Sequence, residues 1–223
     1  MVLAGQVLVD EQKIDKPGRK VSPESKIRLL GQPPRFVSRA GFKLAGALEK
    51  FSIDVAGKTA LDIGSSTGGF TDCLLQNGVA KVYAVDAGTN QLHWKIRNDP
   101  RVEVREKVNA RYLSREEAPE ACGFVCCDVS FISVTLILPV IADFLTPDAE
   151  IVTLVKPQFE ASRSEVGKGG IVRDEAVHQR AIERVREAVA AMGFSRIEQM
   201  ESPILGAEGN REFLLWGSER APA

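Results

Sequence analysis

The chain has 223 residues, 44% of them hydrophobic and 26% charged, with a formal net charge of −1. This balance excludes an intrinsically disordered chain and is typical of a globular protein that buries a core. The apolar run at 131–145 is interrupted by Ser133, Thr135, Pro139 and Asp143. A membrane span needs about 20 apolar residues, so we expect a core helix there and a cytoplasmic protein without a membrane partner.

Basic residues are concentrated in the first part of the chain. Residues 13–43 contain nine Lys or Arg and two acids, so this segment carries +7 and the remainder −8. Such a distribution indicates a polyanionic partner, with a solvated charged surface as the alternative. The candidate contacts to that partner are Lys16, Arg19, Lys20, Arg35 and Arg39.

The first 30 residues are predicted to form a small unit of their own. Val7–Val9 is predicted to be a short strand, followed by turns at 10–12 and 16–18 and a possible second strand at 26–30. Residues 31–36 contain two prolines and are predicted to be a linker to the main domain at 37–223.

A helix is predicted directly after the linker, with Ser38 as its N-cap. Arg39 and Lys43, four residues apart, are expected to share one face of it. Its apolar positions, which recur at helical spacing, are Phe42, Leu44, Leu48 and Phe51.

Beyond this helix, short apolar strands alternate with helical segments. The predicted strands are Thr59–Ile63, 81–85, 102–105, 124–128, 150–155, 197–201 and 213–216. The predicted helices are 69–77, 91–97, 134–144 and 174–192. This alternation predicts an α/β fold with a seven-stranded, mostly parallel sheet covered by helices on both faces.

A glycine-rich loop follows the first strand of that sheet. The candidate cofactor-binding residues in and beside it are Asp62, Gly64, Ser65, Ser66, Thr67, Gly68, Gly69 and Phe70. Asp86 ends the next strand, where a carboxylate can accept hydrogen bonds from both hydroxyls of a ribose. Asn109 is a further candidate contact, on the adenine side.

The spacing of this loop is not that of the dinucleotide-binding G-x-G-x-x-G, because it lacks the middle glycine that admits a pyrophosphate. A nucleoside without phosphates, such as S-adenosylmethionine, fits it better. A nicotinamide enzyme and a glycine-rich turn without a ligand are the alternatives. The four cysteines are not spaced like zinc ligands, and we expect reduced thiols and no metal.

Several ordered strings coincide in this chain. They are V-S-R-A-G-F-K-L from residue 37, G-S-S-T-G-G-F from 64, D-P-R-V from 99, N-A-R from 109, D-V-S-F-I-S from 128, L-V-K-P-Q-F-E from 154 and G-N-R-E-F-L from 209. Over residues 4–217 the chain resembles the TlyA, or hemolysin A, family of rRNA ribose methyltransferases, which has an FtsJ-type catalytic domain. The resemblance implies a Rossmann-like S-adenosylmethionine-dependent methyltransferase fold and 2′-O-methylation of a ribose, that of cytidine, in ribosomal RNA.

The resemblance also implies a catalytic tetrad of Lys43, Asp128, Lys156 and Glu212, with Asp128 next to the cofactor as well. A ribose hydroxyl becomes a good nucleophile once it loses its proton, and an amine removes that proton only in its neutral form. We therefore hypothesise that Lys156 is the base, that Asp128 and Glu212 position it, and that Lys43 holds the ribose or its phosphate. The family usually has glycine where this chain has Ala40.

Two further segments are predicted to take part in RNA binding. Residues 159–173 contain three glycines and are predicted to be a mobile loop that becomes ordered when RNA binds. Residues 3–21 resemble the second half of an alpha-L RNA-binding module, with matches at Ala4, Gly5, Val7, Val9 and 16–18. Two helices precede this point in the family, so we expect a partial module over 1–30 and weaker RNA binding.

Two other functions remain open at the level of sequence. The older family name suggests a membrane-active hemolysin, which a liposome leakage assay would reveal. A catalytically silent RNA-binding protein with the same fold is the second alternative, and transfer of tritiated methyl groups to ribosomal subunits would decide against it.

Overall fold

The computed structural model describes residue 2 and residues 5–31 and 34–220, and it divides into the units Met1–Arg35 and Phe36–Ala223. Its strands are β1 (Val7–Val9), β2 (Gln12–Ile14), β3 (Ile27–Leu29), β4 (Thr59–Ile63), β5 (Lys81–Asp86), β6 (Val102–Glu106), β7 (Cys122–Cys127), β8 (Leu145–Val155), β9 (Phe194–Glu201) and β10 (Phe213–Arg220). Its α-helices are α1 (Ala40–Lys50), α2 (Gly69–Gln76), α3 (Trp94–Arg97), α4 (Leu138–Ile141), α5 (Pro157–Glu160) and α6 (Glu175–Ala191).

The first unit is a three-stranded antiparallel sheet in the order β2-β1-β3. The prediction of a three-residue turn at 10–12 is wrong at its last residue, because Gln12 pairs with Val9. Asp10 and Glu11 alone make the turn, both with positive φ, as a two-residue hairpin requires. Ala4, which supports the resemblance, and Gln32 and Pro33 of the predicted linker lie outside the described residues.

The second unit contains a seven-stranded sheet in the order β6-β5-β4-β7-β8-β10-β9. Strands β4 to β8 are parallel to one another, and β10 runs antiparallel to both β8 and β9. Side chains alternate between the faces: Leu61 and Ile63 of β4 pack on the α4 and α6 side, and Ala60 packs on the α1 and α2 side. The predicted seven-stranded sheet with helices on both faces is confirmed.

Three helix predictions need correction. The N-cap of α1 is Arg39, without a side-chain hydrogen bond, and not Ser38. The helix predicted at 91–97 begins only at Trp94, where the ring nitrogen of His93 accepts a hydrogen bond from the Lys95 amide. The helix predicted at 134–144 is broken into 3₁₀ turns on both sides of the four-residue α4, since Pro139 has no amide hydrogen for a continuous helix.

The strand order creates a switch point between β4 and β7. The chain leaves β4 towards β5 and β6 and then returns to β7 on the other side of β4. Ligands of open α/β sheets bind beyond the carboxyl ends of the strands at such a switch point. Among the described residues, no helix combines the length and the apolar character needed to cross a bilayer.

Candidate functional site

The side chains of Lys43, Asp128, Lys156 and Glu212 converge at the carboxyl edge of the sheet. Lys156 Nζ lies 2.5 Å from Asp128 Oδ1, and Lys43 Nζ lies 2.5 Å from Glu212 Oε2 and 3.9 Å from Asp128 Oδ2. The four groups form a line in which carboxylates and amines alternate. Charges of both signs are therefore paired where water is largely excluded.

Four different elements supply these groups, and all four are largely buried. Lys43 projects from α1, Asp128 follows β7, Lys156 follows β8 and Glu212 precedes β10. The side chains of both lysines are less than a tenth exposed, and those of Glu212 and Asp128 are 3% and 14% exposed. Lys156 Nζ also donates a 2.9 Å hydrogen bond to Ser130 Oγ.

The geometry alters one part of the sequence-based hypothesis. Glu212 pairs with Lys43, and Asp128 is the carboxylate that contacts Lys156. A Cβ at position 206 would lie 2.0 Å from Glu212 Oε1, so Gly206 leaves the space in which this carboxylate sits. Arg39, predicted to contact RNA, donates to the carbonyls of Leu205 and Gly206 and so holds the same loop.

The glycine-rich loop is shaped by close packing between elements. Gly64 has φ +83°, and a Cβ there would lie 2.5 Å from the carbonyl oxygen of Asp128. At Gly69 the added atom would lie 2.3 Å from Ser38 Oγ. Glycine is thus required so that the loop can lie directly against the residues after β7 and before α1.

A cavity of about 380 Å³ lies beside this loop. Asp86 stands at its wall, where Oδ2 accepts from the Ser66 amide at 2.7 Å and Oδ1 accepts from the Gly88 amide at 2.7 Å. Each oxygen keeps a second lone pair that can accept from a ribose hydroxyl. Asn109 also lines this cavity and caps a 3₁₀ turn through a hydrogen bond from the Arg111 amide.

A larger cavity of about 570 Å³ adjoins the first. The tetrad residues lie in its wall, and Val166, Gly169 and Gly170 bring the loop predicted to be mobile to its rim. The residues that line both cavities are Gly64, Ser66, Asp128, Ser130 and Phe131. Of the four tetrad residues, Asp128 lines both cavities, and Lys43, Lys156 and Glu212 line the larger one.

Not every candidate residue reaches a cavity. Ser65, Thr67, Gly69 and Phe70 line the larger one, whereas Asp62 and Gly68 line neither. Asp62 is fully buried and accepts a 2.6 Å hydrogen bond from Thr71 Oγ1. It therefore joins β4 to α2, the two elements that flank the loop. Burial raises the pKa of Asp62 to about 7, with the Thr71 bond opposing the shift and the charge of Asp128 adding to it.

The candidate RNA contacts are dispersed. Lys16, Arg19, Lys20 and Arg35 are exposed on the first unit, and Arg39 is exposed on the second. Sequence reasoning missed Ser130, Phe131 and Phe159 as individual site residues, although all three lie in the strings quoted above. Phe131 is 92% exposed, which is unusual for a large apolar side chain and marks the wall between the cavities.

A sheet in which β10 alone of the described strands is reversed, with Asp86 and the tetrad near its switch point, defines the class of Rossmann-like methyltransferases. The FtsJ-like methyltransferase family matches residues 36–219, and the chain belongs to that family.

Relatives match almost the whole chain. A protein of Mycobacterium tuberculosis named 16S/23S rRNA (cytidine-2′-O)-methyltransferase TlyA is 42% identical and covers 97% of this chain and 81% of its own length. Hemolysin A of Brachyspira hyodysenteriae is 44% identical, over 96% of this chain and 89% of its own. A solved structure from Streptococcus thermophilus has 44% identity and a TM-score of 0.81, and the match covers 99% of this chain and 82% of that one.

Proposed function

We propose that this protein transfers a methyl group from S-adenosylmethionine to a ribose 2′-hydroxyl, that of a cytidine, in ribosomal RNA. The observation that carries the proposal is the line of alternating charges in the wall of the larger cavity, in which Asp128 also lines the smaller, adjacent cavity. The name of the M. tuberculosis relative supports the substrate. A ribosomal substrate also implies that the protein acts in the cytoplasm.

The smaller cavity suits the cofactor. Asp86 would hold its ribose, Asn109 and the apolar wall at Val108 and Ile137 would hold its adenine, and the loop at Gly64 would face its amino-acid part. When bound, S-adenosylmethionine supplies a methyl group that its sulfonium has already activated. The protein then has to align the attacking oxygen and remove its proton.

Lys156 is suited to remove that proton. Its amine lies in the wall of the larger cavity and is oriented by Asp128 at 2.5 Å and Ser130 at 2.9 Å. The amine first gives up one of its own protons to solvent and then accepts the 2′-hydroxyl proton. Asp128 then still has Lys43 at 3.9 Å, so its negative charge is not left unpaired. Glu212 keeps Lys43 in place for this task and for contact with the ribose or its phosphate.

The larger cavity suits a nucleotide taken out of its stack. Phe131 presents an exposed ring at the cavity wall, and its centroid lies 5.3 Å from that of Phe159. Aromatic rings of this kind stack on unpaired bases in RNA-binding proteins. The proposed arrangement therefore places a base against the aromatic pair and its ribose at the tetrad.

Two variants of Lys156 test the proposal. Transfer of tritiated methyl groups is measured on ribosomal subunits from a strain that lacks this gene, and the modified nucleotide is mapped. Lys156→Ala should lose about 10²–10⁴-fold in turnover, the usual contribution of a general base. Lys156→Arg should be as inactive, because arginine keeps the charge but cannot accept a proton.

Cofactor affinity and an exposed lysine serve as controls. Binding of S-adenosylmethionine should stay within about twofold in both variants, and Lys50→Ala, at the far end of α1, should retain full turnover. Full methyl transfer by Lys156→Arg would contradict the role of base. No incorporation by the wild-type protein into either subunit would contradict the proposed function as a whole.

A further inference from the structure

Glu160 is a buried carboxylate that the proposed reaction does not use. It ends α5, four residues after Lys156, and is 4% exposed. Burial raises the pKa of Glu160, against the effect of hydrogen bonds from Ser133 and Val134 and of the charge of Arg184. A buried carboxylate is costly unless hydrogen bonds compensate it, so its partners indicate what it holds in place.

Both carboxylate oxygens bind the segment that follows β7. Oε1 accepts from the Val134 amide at 2.8 Å, and Oε2 accepts from Ser133 Oγ at 2.5 Å. Ser133 in turn caps the 3₁₀ turn at Val134–Leu136 by accepting from the Thr135 amide. On the other side, Arg184 of α6 donates to the backbone carbonyl of Glu160. The carboxylate thus ties the end of α5 to a turn in a different part of the chain.

The segment held in this way carries the wall between the two cavities. Phe131 lies two residues before Ser133, has φ +65° and exposes its ring. A non-glycine residue in the left-handed region is strained and persists only where its surroundings hold it. Ser130, the hydrogen-bond partner of Lys156, directly precedes it.

We infer that Glu160 is a positioning residue for the RNA substrate. Its two hydrogen bonds fix the turn at 130–134 relative to Lys156, so that Phe131 and Ser130 keep their places when a nucleotide enters the larger cavity. Glu160 acts through these residues and lines neither cavity itself. The expected effect on KM for RNA rests on the proposed function. The expected effect on the order of the turn rests on the hydrogen bonds alone.

Two substitutions separate hydrogen bonding from charge. Glu160→Ala leaves the Val134 amide and the Ser133 hydroxyl without their partner. Glu160→Gln keeps a carbonyl oxygen for the Val134 amide, and the Ser133 hydroxyl can rotate to accept from the new amide group. Glu117→Ala is the matched control, because Glu117 also accepts from a backbone amide and a serine hydroxyl, both of Ser114. None of residues 113–115 lines either cavity, whereas Ile132, next to Ser133, lines the smaller one.

Hydrogen exchange in the full-length protein is the first measurement. The Val134 amide should exchange at least tenfold faster in Glu160→Ala than in the wild type, while Glu160→Gln and Glu117→Ala leave it protected. Unchanged exchange at Val134 in Glu160→Ala would overturn the proposal. This result does not depend on whether the protein methylates RNA, so the failure of the proposed function is distinguishable from it.

Steady-state methyl transfer is the second measurement. Glu160→Ala should raise KM for RNA about tenfold with a smaller change in kcat, and Glu160→Gln should restore KM to within about twofold. Loss of folded protein alone would lower kcat in proportion and leave KM unchanged, and that pattern would overturn the role. Equal impairment of the Gln and Ala variants would do so too.

Discussion

At the scale of single residues, the site depends on how buried charges share partners. Asp128 lies between two amines, at 2.5 Å from Lys156 and 3.9 Å from Lys43, and Glu212 contacts only Lys43 within this group. Removing one member of a buried ion pair costs several kcal/mol, because it leaves the other charge unpaired. In the proposed reaction, Asp128 therefore keeps Lys43 as a second cation beside it when Lys156 acts as the base.

Gly206→Ala tests whether Glu212 must stay where it is. The added methyl group would lie 2.0 Å from Glu212 Oε1 and force the carboxylate away from Lys43. Turnover should fall by about tenfold or more, while cofactor affinity is kept. Gly123→Ala is the matched control, since a Cβ there meets nothing closer than 3.5 Å. Equal activity of the two variants in methyl transfer would refute this reading of Gly206.

The raised pKa of Asp62 predicts that the stability of the fold depends on pH. Its pKa is raised from 3.8 to about 7 by burial, so between these values the folded chain binds more protons at this group than the unfolded chain. The free energy of unfolding should therefore decrease as the pH rises from about 4 to about 7, by up to ~1.4 kcal/mol per pH unit from this group. Above pH 7 the contribution levels off.

Asp62→Asn isolates that contribution, because an amide oxygen still accepts the hydrogen bond from Thr71 but does not titrate. Denaturant unfolding at pH 5, 6, 7 and 8 should show the stability of the wild type falling relative to the variant up to pH 7. A difference between wild type and variant that does not change over this range would mean that Asp62 is already ionised throughout.

Individual site residues were predictable to different degrees. The four tetrad residues stand in recognisable strings, but the pairing of Glu212 with Lys43 joins positions 169 apart in the chain, and no local pattern contains it. Asp62 was predicted to contact the cofactor because it precedes the glycine-rich loop. The strand buries it instead, since alternate residues of β4 face opposite sides of a sheet that is covered on both.

At the scale of elements, the loop between α5 and α6 forms one rim of the larger cavity. Asn210 fastens its last part, accepting from the Val172 amide at 3.1 Å and donating to the Gly170 carbonyl at 2.9 Å. The same residue lies two positions before Glu212. The loop over the larger cavity and the segment that carries Glu212 are therefore joined by one side chain.

Asn210→Ala should loosen this loop without unfolding the protein. Trypsin cleavage after Arg163 or Lys168, both exposed in the loop, should become several-fold faster, and RNA should slow cleavage of the wild type. Asn98→Ala, which removes only a hydrogen bond to the Trp94 carbonyl in α3, serves as the control. Equal cleavage rates for wild type and Asn210→Ala would show that other contacts hold the loop.

Short elements were the part of the fold that the sequence predicted least well. In the main sheet, β4, β5, β7, β8 and β10 contain apolar runs that reveal them, whereas β6 and β9 mix apolar with charged residues. The four-residue α5 and the fragments around α4 contain too few residues to show a helical period. In the first unit, β2 was missed because its exposed residues have no alternating pattern.

At the scale of the whole molecule, charge is distributed unevenly along the chain. The net charge of −1 conceals a basic segment at 13–43 and an excess of acids elsewhere. Binding of a protein to nucleic acid releases counterions, so the logarithm of the affinity falls linearly with the logarithm of the salt concentration. The slope is set by the number of phosphates neutralised. A change in this slope when basic residues of the first unit are replaced therefore measures the phosphate contacts that those residues make.

Simultaneous replacement of Lys16, Arg19 and Lys20 by glutamine should weaken RNA binding and flatten this slope by about 0.7–0.9 for each phosphate contact removed. All three side chains are exposed, so the free energy of unfolding and the affinity for S-adenosylmethionine should not change. Affinity for ribosomal subunits is measured between 50 and 200 mM salt, with Lys50→Gln as a control for the loss of an exposed charge on the second unit. A parallel shift without a change in slope would mean that these residues act on the fold of the first unit. An unchanged curve would leave the second unit to supply the phosphate contacts alone.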